Sequence, residues 1–512
     1  MKANTWPKAG LLAIGLLSAC KDTTPPEPDP TRQTTQQTDI TPLVPSSRGV
    51  SFATYLGGAG VDVLRDIAEG PGGRLYVAGT NTSGSFPVFG GFDQSFAGGG
   101  DGVVAALTTG GQRVWSTYFG ARGVDEVLAI EVAADGGLIV AGRAGPDLPG
   151  VSSGFQTTYG GGFQDGFVCR LSADGRLLYW CSYLGTGDDH GISDVAVDPA
   201  GYIYVVAGTE RGDFPRAWFK RGMSSVRKGG KDAVLLKVAP NGSTVVWATY
   251  LGGRGQEIGS PTVRATPAGE VLVALTTNSS DLPTTPDAAQ RSLRGLTDIW
   301  VARFNRDGAM VFGTYLGGSG SETVGAHGLA LDRFGRVLVA GSTTSANLAG
   351  AAHGFQSTFG GLGVSPMRRD LEIRGDGFVT MLSQTGRSVV ASTYVGGKGA
   401  DGVEAVGVDV NGVVWLSGAT YSANFRTTVG AHQPGYSGDR DGFVVAVSRD
   451  LKDLVYSTLL GTASEDAARA IVGRAGGGAL VAGSVSGAAF PTMGALQPFY
   501  GGTRDGLVVG IR

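Results

Sequence analysis

A short motif recurs along this chain and limits what it can fold into. Thr54-Tyr55-Leu56-Gly57-Gly58 returns as Thr117-Tyr118-Phe119-Gly120, Ser182-Tyr183-Leu184-Gly185, Thr249-Tyr250-Leu251-Gly252, Thr314-Tyr315-Leu316-Gly317, Thr393-Tyr394-Val395-Gly396 and Thr458-Leu459-Leu460-Gly461. From Tyr55 to Leu459 the intervals are 63, 65, 67, 65, 79 and 65 residues. A fixed period of this length marks a repeat architecture, in which each unit buries its apolar face only against its neighbours. A second mark, an acid opening an apolar run, recurs independently at Asp101, Asp165, Asp232, Asp298, Asp376, Asp441 and Asp505.

Each unit holds four apolar stretches bounded by Gly, Asp or Asn turns. In the second unit they are Val114–Tyr118, Leu128–Val132, Leu138–Gly142 and Asp165–Leu171. Runs of this length and punctuation read as antiparallel strands. Glycine, 88 of 512 residues with no Gly-X-Y period, excludes collagen and fits many short strands joined by tight turns. Four strands repeated seven times predict an all-β fold, a seven-bladed β-propeller. Small residues, as in Val195-Ala196-Val197, suit the crowded strand at the centre. Trp115, Trp180, Trp247, Phe312 and Tyr456 suit the outer rim. The chain ends without a last outer strand and begins with an orphan one, Ser51–Tyr55. The N-terminal strand is therefore expected to complete the last blade and close the ring, which removes exposed sheet edges. The fourth unit has Val273-Ala274-Leu275 where others have Val-Ala-Gly, so an irregular blade is expected there.

The recurring Tyr-Leu-Gly-Gly, Val-Ala-Gly, Phe-Pro and Gly-Gly-x-Asp-Gly-Phe-Val segments of residues 50–512 resemble the bacterial β-propeller repeat family called SBBP. The resemblance implies a propeller on secreted or surface proteins and no defined activity. At the N-terminus, Lys2 and Lys8 precede a short apolar run, Ala9–Leu17, too short to span a bilayer. Leu17-Ser18-Ala19-Cys20 resembles the lipobox of bacterial lipoproteins. That resemblance implies a signal peptide over residues 1–19, cleavage before Cys20 and acylation of Cys20 with chains such as palmitate. Lys21 after the cysteine implies the outer membrane. An ordinary signal peptide with a chance cysteine is the alternative. Residues 20–47 read as a lipidated, Thr/Pro-rich tether that reaches about 80 Å if extended. Residues 48–512 form the propeller.

The loops between second and third strands exceed twenty residues, as in Gly79 to Asp101 and Gly483 to Asp505, whereas the other hairpin turns are short. Long loops on a rigid scaffold are where recognition resides. The third carries Arg211, Arg216, Lys220, Arg221, Arg227, Lys228 and Lys231. The fifth carries an insertion with Arg368, Arg369, Asp370, Glu372 and Arg374. Seven residues after each anchor lie Asp62, Asp125, His190 (with Asp188 and Asp189 before it, Asp189 supplying the acid), Glu257, Glu322, Asp401 and Asp466. Two readings follow, a ring at the channel mouth that holds Ca2+ or a cationic group, or acids that each cap a Gly-rich turn. A recurring glutamine (Gln94, Gln156, Gln290, Gln356, Gln433, Gln497) has the same two readings. Cys169 and Cys181 face each other across a turn, either as a disulfide or as two buried thiols.

Catalytic motifs are missing. The four histidines, His190, His327, His353 and His432, lack metal-ligand spacing. Ser225-Val226-Arg227-Lys228 matches S-x-x-K without its supporting motifs. The net charge of −3 gives no general pull toward nucleic acid. These features predict a monomeric, membrane-anchored binding or scaffold module with no cofactor beyond Ca2+, whose long-loop face meets a protein or a cell-envelope glycan. The alternatives are a glycan hydrolase or lyase with carboxylates at the channel mouth, and a structural surface-layer component.

Overall fold

The computed structural model describes residues 49–187, 191–209, 214–363 and 375–512. The leader, Cys20 and the tether lie outside the described residues, as do Asp188, Asp189, His190, Arg211, Arg368, Arg369, Asp370, Glu372 and Arg374. The chain divides into two units, Met1–Leu43 and Val44–Arg512, and all described residues belong to the second.

The described residues form 28 strands. β1 is Val50–Leu56. The first sheet is β2 (Asp62–Glu69), β3 (Leu75–Asn81), β4 (Asp101–Leu107) and β5 (Arg113–Phe119). The second is β6 (Glu126–Val132), β7 (Leu138–Ala144), β8 (Asp165–Leu171) and β9 (Leu178–Leu184). The third is β10 (Gly191–Val197), β11 (Ile203–Thr209), β12 (Asp232–Val238) and β13 (Val245–Leu251). The fourth is β14 (Glu257–Ala265), β15 (Val271–Thr277), β16 (Asp298–Phe304) and β17 (Met310–Leu316). Next come β18 (Glu322–Leu331), β19 (Val337–Thr343), β20 (Asp376–Leu382) and β21 (Val389–Val395), then β22 (Asp401–Val408), β23 (Val414–Thr420), β24 (Asp441–Val447) and β25 (Leu454–Leu460). These two quartets form one eight-stranded sheet, joined by a parallel bridge between His327 and Ala405. The last strands, β26 (Ala467–Gly473), β27 (Ala479–Val485) and β28 (Asp505–Ile511), take β1 as their fourth, which pairs antiparallel with β28.

Apolar side chains from adjacent sheets make the core. Phe52, Leu64, Ile67, Val77 and Val103 pack with Ala470, Leu480, Ala482 and Val508, so the first sheet meets the last. Aromatics on the fourth strands receive the turn of the next sheet. Gly175 (φ +69°) lies on Trp115, and a Cβ there would come within 2.5 Å of the indole. Only glycine meets both demands, the left-handed backbone and the close approach. The Trp115 indole N–H also donates to the Ala173 carbonyl at 3.1 Å, and Trp247 donates to the Arg306 carbonyl at 3.0 Å two contacts further on.

Every first strand is bulged. In β2 the register shifts between Leu64 and Asp66, and β6, β10, β22 and β26 shift likewise. Opposite the bulge the second strand carries glycine, because a Cβ on Gly79 would strike the Val63 carbonyl oxygen. The expected irregularity of the fourth unit lies elsewhere than anticipated. β15 itself is regular and buried. The irregularity lies in β14, where the ladder is interrupted between Ile258 and Thr262, and β18 is interrupted as widely, between Val324 and Leu329, although its partner strand carries Gly341. The third unit departs too: Ala207, not Gly208, pairs with Ile192 at the bulge.

Candidate functional site

The recurring motif fastens the long loops. Its threonine or serine hydroxyl accepts a loop N–H in each unit, for example Gln497 N to Thr54 at 2.9 Å, Gln290 N to Thr314 at 3.0 Å and Gln433 N to Thr458 at 2.9 Å. The tyrosine hydroxyl accepts from the loop start: Phe86 N to Tyr118 at 3.1 Å, Leu148 N to Tyr183 at 2.8 Å, Phe490 N to Tyr55 at 3.1 Å. The recurring glutamine closes the other side. Gln290, Gln356, Gln433 and Gln497 each accept from the motif's first glycine N–H at 2.8–3.1 Å. Gln156 does so at 3.3 Å, whereas Gln94 donates to the Gly91 carbonyl at 3.1 Å. The acid opening each third strand caps the loop end, as where Ala97 N donates to Asp101 and Gly501 N to Asp505, both at 2.7 Å. Loops held at so many points present fixed side chains rather than a mobile coil.

The described acids of the expected ring are buried, each against its own turn. Asp62 accepts from Gly58 N at 2.7 Å and from the Asn81 amide. Asp125 accepts from Ala121 N at 2.8 Å and Gly145 N at 2.9 Å. Glu257 accepts from the Thr277 and Ser279 hydroxyls, both at 2.8 Å. Glu322 takes Gly318 N at 2.9 Å and Thr343 at 2.6 Å, and Asp401 takes Gly397 N and Ser422 at 2.8 Å with Thr420 beside them. Asp466 accepts from Ser486 N at 2.7 Å and from Thr462. Burial pushes the carboxyls of Asp401 and Asp466 up to about 6. The third-strand acids respond in the same way, Asp376 to about 7 and Asp101, Asp441 and Asp505 to about 6.

A different set of residues meets at the centre. One cavity of about 200 Å3 is lined by β2, β6, β10, β14, β18, β22 and β26 together. Its lining residues lie at or beyond the bulges, on the side of the short turns. Asp66, Glu131, Asp194, Arg264 and His327 supply its charge. His327 lies between two carboxylates, with Nε2 3.8 Å from Asp66 Oδ1 and Nδ1 3.7 Å from Asp194 Oδ1. Arg264 pairs with Asp194 Oδ2 at 2.8 Å, and that oxygen also accepts from Thr262 at 2.6 Å and Val263 N at 2.9 Å. Asp66 accepts from Ile67 N and Ile130 N, both at 2.8 Å, so it ties the first sheet to the second. Burial alone would lower the His327 imidazole, but Asp66 and Asp194 outweigh it and raise it to about 9. Burial pushes Glu131 up to about 7 against the pull of Arg264. Among the described residues, Asp66, Asp194 and His327 are the one group of three His, Cys, Asp or Glu side chains whose ligand atoms lie within 4.8 Å of one another.

Sequence reasoning passed over Asp66, Asp194 and Arg264 and gave His327 no ligand role for want of metal-ligand spacing. A signal was present. Eleven residues after each anchor stand Asp66, Ala129, Asp194, Pro261, Ala326, Ala405 and Ala470. Two carboxylates break a row of small residues, and the break carries the information that the repeat does not.

The long loops also expose apolar side chains. Phe89, Phe163, Val226, Leu296, Leu362, Val429 and Phe499 are exposed, at least one in each of the seven loops, with Met493 as well as Phe499 in the last. In the basic third loop Arg216, Lys220, Arg221 and Lys228 are exposed, with Arg221 paired to Asp307 at 2.6 Å. Cys169 and Cys181 pair directly across β8 and β9 and are joined as a disulfide, Cα atoms 4.1 Å apart. Among the described residues no helix is long and apolar enough to cross a membrane.

Residues 311–349 match the SBBP family, described as Beta-propeller repeat. No curated protein matches the chain. Among solved structures, Sqt1 from Chaetomium thermophilum is similar at 10% identity and a TM-score of 0.40, over 91% of this chain and 99% of that one. The quinohemoprotein alcohol dehydrogenase from Comamonas testosteroni is 10% identical with a TM-score of 0.38, over 91% and 76% of the two chains. BamB from Moraxella catarrhalis is 11% identical with a TM-score of 0.33, over 81% and 94%. The described residues form an all-β body of four-stranded antiparallel units, and the matched segment spans most of β17 with β18 and β19.

Proposed function

We propose that this chain is a lipid-anchored, seven-bladed β-propeller, closed by β1, whose long-loop face binds a protein or glycan of the cell envelope. Seven first strands around one cavity and the pairing of β1 with β28 support the blade count and the closure. Cys20, acylated, would hold the body at the outer membrane through the tether. The observation that carries the binding reading is the pairing of fixed loops with exposed apolar side chains, at least one on each loop. Exposed apolar groups clustered on one face mark an interaction surface. Aromatic groups such as Phe89, Phe163 and Phe499 suit sugar faces and protein side chains alike.

The test is a binding screen against glycan arrays and envelope fractions. The triple variant Phe89→Ser, Phe163→Ser, Phe499→Ser is compared with Leu177→Ser, Phe334→Ser, which alters exposed residues on short turns. Binding lost at least tenfold in the triple variant and kept in the control supports the reading. Binding that is equal in both, or lost only in the control, overturns it.

A further inference from the structure

We propose that Asp66, Asp194 and His327 form a binding site for one divalent first-row transition metal ion of the zinc type, at the floor of the central cavity. The argument starts from the imidazole. His327 is 3% exposed, and its Nε2 lies 3.2 Å from the Arg65 carbonyl oxygen. A carbonyl only accepts, so Nε2 carries a proton and donates it. Metal-ligating histidines are held in this way, one ring N–H on a backbone carbonyl and the other nitrogen on the ion.

Nδ1 is then the free nitrogen. It has no hydrogen-bond partner and faces Asp194 Oδ1 at 3.7 Å. That separation is too long for an N–H···O bond. It fits two donors on one ion: atoms about 2.1 Å from a tetrahedral centre stand about 3.4 Å apart. Asp66 stands on the Nε2 side of the ring, its Oδ1 3.8 Å from that nitrogen, and one ligand atom from each of the three residues lies within 4.8 Å of the others, so a small rotation of its carboxylate would bring it to the ion.

The surroundings hold these ligands in place. Arg264, Thr262 and Val263 N occupy Asp194 Oδ2, which leaves Oδ1 turned to the histidine with only the Val195 N–H upon it, at 2.9 Å. Ile130 N fixes Asp66 Oδ2 at 2.8 Å. Asp66 and Asp194 hold a positive charge at this point, the imidazolium of His327 when no ion is bound, and a divalent ion would take the place of its Nδ1 proton. The cavity offers room for water as a further ligand. An imidazole ligand favours zinc-type ions over Mg2+ and Ca2+, which take oxygen alone. None of these three residues belongs to the sevenfold acids of the loop face, so the site stands apart from the proposed binding surface.

The full chain is stripped with a chelator, dialysed and titrated with ZnCl2, MgCl2 and CaCl2, with calorimetry and the melting temperature as readouts. The expected result is one equivalent of zinc and a raised melting temperature, with no response to Mg2+ or Ca2+. His327→Gln and Asp66→Asn are expected to weaken zinc at least tenfold, while His353→Gln, which alters an exposed histidine, binds as the parent does. Co2+ is expected to give visible absorption that His327→Gln abolishes. Should His327→Gln not fold, Asp66→Asn carries the test, because its amide oxygen still accepts the Ile130 N–H. No zinc response in the parent, or parent-like zinc binding in the channel variants, overturns the proposal.

Discussion

Asp62 and Asp66 lie four residues apart on one strand and have opposite histories in the repeat. Asp62 has counterparts in the other units, and each described one accepts hydrogen bonds from the turn or strand end beside it. Asp66 has one carboxylate counterpart, Asp194, and both turn toward a histidine from a third sheet. The lesson is that repetition here identifies what folding needs. A turn must be capped in every blade, so its acid recurs. A ligand needs donors from several directions at one point, so its residues differ between blades.

The comparison breaks if repeated elements prove dispensable. Deleting residues 50–56 removes β1 and the buried Phe52, Ala53, Tyr55 and Leu56. It also exposes the edge of β28. Burial of the two aromatic and one leucine side chains alone is worth on the order of 5 kcal/mol. Chemical denaturation is expected to show a loss at least that large. A truncated chain that unfolds with the parent would remove the support for closure.

A smaller effect follows from pH. Burial holds the carboxyls of Asp376 near 7 and of Asp101, Asp401, Asp441, Asp466 and Asp505 near 6. Their folded values exceed their unfolded ones, so the folded chain holds protons that the unfolded chain releases. Stability from these groups is therefore gained as pH falls from about 7 toward about 4 and is absent above that window. Asp194, held low by Arg264 and His327 despite its burial, opposes this, as do the exposed Asp174 and Asp450, lowered by hydrogen bonds from Ser172 and Ser448. The melting temperature is expected to be higher at pH 5 than at pH 8. The reverse order would mean that the turn acids are ionised at little cost, as open cation ligands would be.

Much of the fold was legible because its physics is local. Threonine and tyrosine of the motif act on the loop of their own unit, glycine is required wherever a Cβ would strike a bulge, and strand ends fall at the acids and glycines that cap them. Leu138–Gly142, for example, was read as a strand, and β7 runs Leu138–Ala144. What was not legible depended on tertiary convergence. Leu275 marked the fourth unit as irregular but not where: the ladder breaks in β14, where Gly259 (φ +73°) lets the strand leave it, and β18 breaks as widely with no such mark in its partner strand. Asp66, Asp194 and His327 come from three units, and nothing in their sequence spacing resembles a metal motif. Their meeting depends on bulged first strands converging on one cavity, which only the folded chain reveals.

The most direct measurement is anomalous scattering at the zinc edge from crystals of the full chain grown with zinc. The account predicts a single strong peak between Asp66, Asp194 and His327, with none at the turns of Asp62, Asp125 or Asp401. Peaks at those turns, with none in the cavity, would contradict it and return the ligand to the repeated acids.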